Sequence, residues 1–168
     1  MGSRRRAEAF HAVLARSGFE PRQYDFQDKV EEHEDDPRGT PDTRALAPLL
    51  EKKPQPVGVL ALGDPFARAV WRVCDKLGLD VPGQVAIVGV NDLPVAFAYR
   101  PTITSIHYPG EEVGYRATQL LVKLIEGGRR PRKPVGIRAT QLIARESTIG
   151  SADVDDAFVR GLEMIRRQ

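Results

Sequence analysis

Two polar signals stand at the ends of apolar runs in this chain. Asp64 follows VGVLALG (residues 57–63), and Asn91-Asp92 follows VAIVGV (residues 85–90). The two runs are the length of buried strands, and between them lies a helix-period segment. Together they place Asp64 and Asn91-Asp92 at the carboxyl ends of neighbouring parallel strands, where open α/β sheets bind small ligands. Carboxylates accept hydrogen bonds and a carboxamide both donates and accepts, so the chemistry on offer is ligand recognition. Asp64 also precedes Pro65 at a helix start, where it serves as an N-cap acceptor, and capping is expected to be its main role.

Catalytic and metal chemistry lack their reagents. No glycine-rich nucleotide loop, nucleophile elbow, or pair of histidines or cysteines at metal spacing occurs. His11, His33 and His107 fall on three different elements, and Cys74 falls on the buried side of its helix, where a thiol is an inert core residue. No cofactor and no bound metal are expected.

The elements that must carry these groups follow from periodicity. Residues 4–17 form a first helix through Ala7, Phe10, Val13 and Leu14, stopped by Gly18. Residues 27–43, QDKVEEHEDDPRGTPDT, are acidic and nearly free of apolar side chains, so a solvated excursion is expected there, after a short strand at 24–26. A second helix spans 43–52 through Leu46, Leu49 and Leu50. Residues 57–62, apolar on both faces, read as a parallel strand covered on each side. The helix after Asp64 uses Phe66, Val70, Val73 and Leu77, and Gly78 ends it. Strands follow at 85–90 and 103–106. A helix over 111–126 is expected to bury Val113, Ala117, Leu120, Leu121 and Leu124, and a last strand spans 141–144. Residues 151–167 form an amphipathic helix through Val154, Phe158, Leu162 and Ile165. The fold class is α/β, a doubly wound, mostly parallel sheet.

Composition bounds the partners. The 168 residues suffice for one ordinary domain, and 41% hydrophobic with 29% charged residues is a globular balance. A net charge of +2 names no polyanionic partner, and the basic turn GGRRPRKP (residues 127–134) lacks aromatic interleaving, so it reads as a solvated connector. One cysteine, no secretory leader and no apolar run near the roughly 18 residues of a membrane helix imply a cytoplasmic chain without membrane attachment.

The order of LGDPFARAV, LDVPGQVAIVGVND, RPTITSI, EVGYRATQLL and LIARESTIG resembles the effector-binding domain of the lactose repressor family of bacterial transcription regulators. Within it, the tail DVDDAFVRGLEMIRRQ resembles the xylose-operon regulators. The resemblance implies the second lobe of a periplasmic-binding-protein-like domain over residues 1–150 and a linker helix over 151–168. That helix would lead to an arabinose-regulator-type DNA-binding domain outside this chain. It also implies a sugar effector, operator DNA engaged only through that absent domain, and a homodimeric parent. Arg6 matches an effector-binding arginine at the mouth of the first helix, and Arg4 shares that junction. Asn91 stands where the family usually has an effector-binding aspartate, with Asp92 after it. His107 and Tyr108 follow the third strand at a cleft-facing turn, and Gly63 replaces a ligand-touching asparagine. A transport solute-binding protein is the alternative reading and an α/β enzyme the third.

With the first strand and first lobe expected outside the chain, strand edges and apolar faces are left uncovered. The isolated chain should therefore be marginally stable. Thermal unfolding followed by circular dichroism is expected to be broad and poorly reversible; a sharp, fully reversible transition overturns this.

Overall fold

Seven consecutive uncharged residues with a β-branched majority dictate the central strand, Val85–Asn91 (β4), which is buried at every position except its last. The remaining architecture is arranged about it in a computed structural model that describes residues 2–24, 30–33, 36–41, 46–52, 56–138 and 141–149. In chain order these are α1 (Gly2–Arg16), β1 (Val30–His33), β2 (Asp36–Pro41), α2 (Leu46–Glu51), β3 (Val57–Leu60) and α3 (Asp64–Leu77). They continue with β4, a 3-10 turn (Pro94–Ala96), β5 (Thr104–His107), α4 (Gly110–Ile125) and β6 (Gln141–Ile143). The main sheet runs β3-β4-β5-β6, with β3, β4 and β5 parallel and β6 antiparallel to β5. This is an α/β, mostly parallel sheet, as the apolar runs predict.

Helix ends are set where the glycines stand. After α1, Gly18 has φ +81° and donates to Ala15 O, while Phe19 donates to Leu14 O. After α3, Gly78 has φ +67°, and the Gly78 and Leu79 amides bond to Asp75 O and Cys74 O. Both are Schellman closures, which need a left-handed residue that glycine supplies without strain.

The core lies between α3 and the sheet. Ala67, Val70, Val73 and Cys74 of α3 meet Val85 and Ile87 of β4, with Leu46 and Leu50 of α2, Ala96 and Ile103 closing the cluster. Cys74 is buried, and burial pushes its thiol up to about 11. The buried stripe departs from the expected one at Phe66, which is exposed, while Arg68 is only 3% exposed. The Arg68 guanidinium donates to Pro101 O (3.1 Å), Val95 O (3.2 Å) and Tyr99 O (3.1 Å), and stacks on Trp71 and Tyr99. Four hydrogen-bonding contacts to one loop, including Ala96 O, offset the cost of burying its charge.

Other expectations need correction. Residues 30–33 and 36–41 form an antiparallel pair, Val30 opposite Pro41 and Glu31 opposite Thr40, where a solvated excursion was expected. Main-chain pairing needs no apolar side chains, which is why the composition hid it. Tyr24 lies outside any regular element, and the rest of the expected strand at 24–26, like the start of the second helix and the tail helix at 151–167, lies outside the described residues. Among the described residues β3 is the edge of the main sheet, and its side chains are half-buried at Val57, Val59 and Leu60 and not covered on both faces.

In α4 no residue is buried. Val113 and Leu120 are half-buried, but Ala117, Leu121 and Leu124 are exposed, and Ile125 reaches 76%. A 3.6-residue stripe creates the capacity for burial; burial itself needs a facing surface. Among the described residues the Val113 and Leu120 side of α4 faces an open groove of about 490 Å³ toward Pro131, Val135 and Ile137. In the chain as it stands, Leu121→Glu with Ile125→Lys should therefore change unfolding free energy by under about 0.5 kcal/mol, whereas Ile87→Ala should cost about 3 kcal/mol, both read by urea titration.

Candidate functional site

The chain reverses at the carboxyl end of β4, and this corner gathers the polar groups. Asn91 (φ +100°) and Asp92 (φ +55°) both take positive φ, which costs a non-glycine residue about 1–3 kcal/mol where the backbone is sparsely populated. Surrounding bonds over-determine the corner. The Asp92 amide donates to Ser105 Oγ (3.0 Å), and the Leu93 amide donates to Asp64 Oδ2 (2.6 Å). Ser105 Oγ in turn donates to Asp64 Oδ1 (2.6 Å).

Asp64 is thus committed on both oxygens and is fully buried. It is the first residue of α3 and Gly63 stands at the cap position, so the expected capping role is corrected: the Asp64 carboxylate reaches across to β5 and to the loop after β4. The approach of β4 made this possible. A Cβ on Gly89 would collide with Asp64 Oδ1 and press on Ala67, so only glycine lets the strand lie so close to the carboxylate. Burial is the main cause that raises the Asp64 pKa, and the nearby Asp92 charge adds to it; the bonds from Ser105 and Leu93 oppose the rise without cancelling it.

Asp92 has its own partners. Arg145 Nη2 donates to Asp92 Oδ1 (2.6 Å), with side-chain exposures of only 15% and 12%. His107 Nδ1 lies 3.4 Å from Asp92 Oδ2. His107 also sits directly opposite Asn91 in the β4–β5 register. Arg145 Nη1 donates to Ile103 O (2.8 Å), and the guanidinium lies 5.2 Å from the Phe97 ring centre. Asn91 is half-buried, one residue before this ion pair.

Of the expected site residues, the structure brings Asp64, Asn91 and Asp92 into one corner, with His107 beside them. Tyr108 follows β5 and is exposed. Arg4 and Arg6 lie in the first turns of α1, where Arg4 is exposed and paired to Glu8 (3.0 Å), and Arg6 is exposed. No described hydrogen bond or ion pair joins either arginine to the corner. Among the described residues no group of three or more histidine, cysteine, aspartate or glutamate side chains could hold a metal.

Sequence reasoning missed Ser105, Arg145 and Arg68. A signal existed for Arg68, a charge one turn after Asp64 among apolar helix positions. Ser105 and Arg145 belong to TITSI and LIAREST, whose contact is tertiary: Ser147 Oγ accepts the Thr104 amide and donates to Ile87 O, and Glu146 binds the Thr102 amide.

A mostly parallel sheet with a fixed polar corner at a carboxyl strand end defines an α/β lobe of the ligand-binding class. Residues 1–148 match the periplasmic binding protein-like domain, and the chain belongs to that family. The resemblance to lactose-repressor-type regulators is borne out by its relatives. A lactose operon repressor of Rhizobium radiobacter is 35% identical over 79 residues, 47% of this chain and 70% of that protein. The xylose operon regulatory protein of Escherichia coli K12 is 27% identical over 122 residues, 72% of this chain and 31% of that protein. A solved LacI family transcriptional regulator from Bifidobacterium animalis subsp. lactis superposes with a TM-score of 0.71 at 28% identity, over 88% of this chain and 50% of that one. The chain thus spans about a third of the E. coli protein and half of the Bifidobacterium one. No described helix is long and apolar enough to cross a membrane.

The raised Asp64 pKa has a sign that can be read. The folded state holds this proton more tightly than the unfolded chain does, so the contribution of Asp64 is fully present below the ordinary aspartate value of the unfolded chain and is lost as pH rises through the higher folded pKa. In urea titrations, the stability of wild type minus that of Asp64→Asn should fall from acid toward neutral pH; a difference that grows with pH contradicts it.

Proposed function

We propose that this chain is the effector-sensing lobe of a sugar-responsive transcription regulator, with xylose or a related pentose as effector. The observation that carries the reading is the corner itself. Asp92 is neutralised by Arg145 and Asp64 is sealed beneath, so the group left at the strand end is the uncharged Asn91 carboxamide. An amide donates and accepts at once, which suits adjacent hydroxyls of a neutral sugar. Similarity to regulators named for lactose and xylose operons supports a sugar effector, and the longer match to the xylose regulator favours a pentose.

Asn91 is the principal contact, with Arg6, Arg4 and Tyr108 reaching the ligand from the cleft rim. Asp92 and Asp64 hold the corner. The ligand closes this lobe on a second one and shifts the population between DNA-binding states. Operator DNA is engaged through a domain other than this lobe, the regulator works as a homodimer in the cytoplasm, and it carries out no reaction.

The test is a chemical-shift titration of the isotope-labelled chain with D-xylose, D-ribose and lactose in millimolar excess. At least one pentose should move the Asn91 side-chain amide and the Asp92 and Leu93 amides. Asn91→Ala should weaken that binding about tenfold, the worth of one well-formed hydrogen bond. No corner shift with any of the sugars overturns the reading.

A further inference from the structure

We propose that Arg145 is a positioning residue for the Asn91 corner, holding Asp92 so that the Asn91 carboxamide faces the ligand; this rests on the corner being the effector site. The side chain is tied at every polar end that matters here. Nη2 donates to Asp92 Oδ1 at 2.6 Å, Nη1 donates to Ile103 O at 2.8 Å, and the guanidinium plane stacks 5.2 Å from the Phe97 ring centre. The Arg145 backbone is fixed as well, its amide donating to Thr104 Oγ1 at 2.8 Å. Thr104 is itself fully buried and lies 2.6 Å from Thr148 Oγ1.

Thr104 opens β5, Ile103 immediately precedes it and Thr148 bonds to Thr104, so Arg145 is anchored on buried, hydrogen-bonded structure. Its third partner is different in kind. Asp92 is the second of two consecutive residues with positive φ, a conformation that persists only while its surroundings impose it. The other ties on the corner act on main-chain amides after Asn91, through Ser105 Oγ and Asp64 Oδ2. Arg145 alone among these grips the Asp92 side chain with a charge-assisted bond, while His107 stands at the weaker distance of 3.4 Å. A planar fork shared between the Ile103 carbonyl and Asp92 sets direction as well as distance, which a lysine ammonium cannot do. Removing the fork frees Asp92 to turn outward as a competing anion beside Asn91.

The test uses the full chain with Arg145→Met, which keeps an apolar body against Phe97 without a donor, and Arg145→Lys, which keeps charge without the fork. Asp92→Asn removes the same pair from the other side and serves if Arg145→Met does not fold. Amide hydrogen exchange and the sugar titration are read together. Arg145→Met should speed exchange of the Asp92 and Leu93 amides at least about tenfold and leave Val85–Val88 unchanged, with Arg145→Lys between it and wild type. Sugar affinity should fall about tenfold in Arg145→Met and recover partly in Arg145→Lys. Uniformly faster exchange across the sheet, or no change at the corner, overturns the proposal and leaves Arg145 a general stabiliser. Equal sugar affinity in wild type and Arg145→Met also overturns it. If wild type binds no sugar yet the corner alone loosens, the effector reading falls while control of the corner by Arg145 stands.

Discussion

Burial of one carboxylate between a helix start, a strand and a turn is the constraint about which this lobe is assembled. Asp64 begins α3, where the helix dipole favours a negative charge, but its oxygens serve Ser105 on β5 and the Leu93 amide after β4. Three elements are thereby fixed to one another through a single side chain. Removing a carboxylate from water is costly, and two short donor bonds offset part of that cost without restoring its ordinary acidity. Glycine at position 89 is the steric counterpart, since any side chain there would occupy the space of the carboxylate.

On this base the corner at Asn91-Asp92 acquires its shape. Positive φ at two successive residues turns the chain sharply off the strand, and the loop that follows is held on its far side by the buried Arg68. Two buried charged groups of opposite sign thus grip the two ends of one loop without touching each other's charge: Asp64 takes an amide at its start and Arg68 takes carbonyls along its end. Each uses main-chain groups as partners, which suits a lobe that must present a fixed surface to a small ligand.

The local devices of this fold were plain in the sequence, and the long-range ones were not. Val57 to Val90 announced strand, helix and strand, and Gly18 and Gly78 marked helix ends, because these depend on residues a few positions apart. Asp64 misled because an aspartate before Pro65 satisfies every local rule for a cap, whereas its partners lie 29 and 41 residues away. The α4 stripe misled in the opposite sense, since periodicity records what a helix can bury and says nothing of what faces it. Arg145 carried no local signal at all, because its meaning comes from Asp92, 53 residues earlier. Asn91 and Asp92 were legible since strand ends in a parallel sheet are predictable places.

Cys74 gives the lobe a property of a different sort. It is the sole thiol of the chain, sits on α3 in the heart of the core, and its ionisation is pushed up to about 11. In the closed lobe the thiolate, the reactive form, is almost absent at neutral pH, and the sulfur is out of reach of reagents. Alkylation can proceed only in moments when α3 lifts from β4, so the labelling rate is a clock for the opening of this one interface. The lobe therefore carries its own timepiece, set at the helix whose first residue anchors everything else.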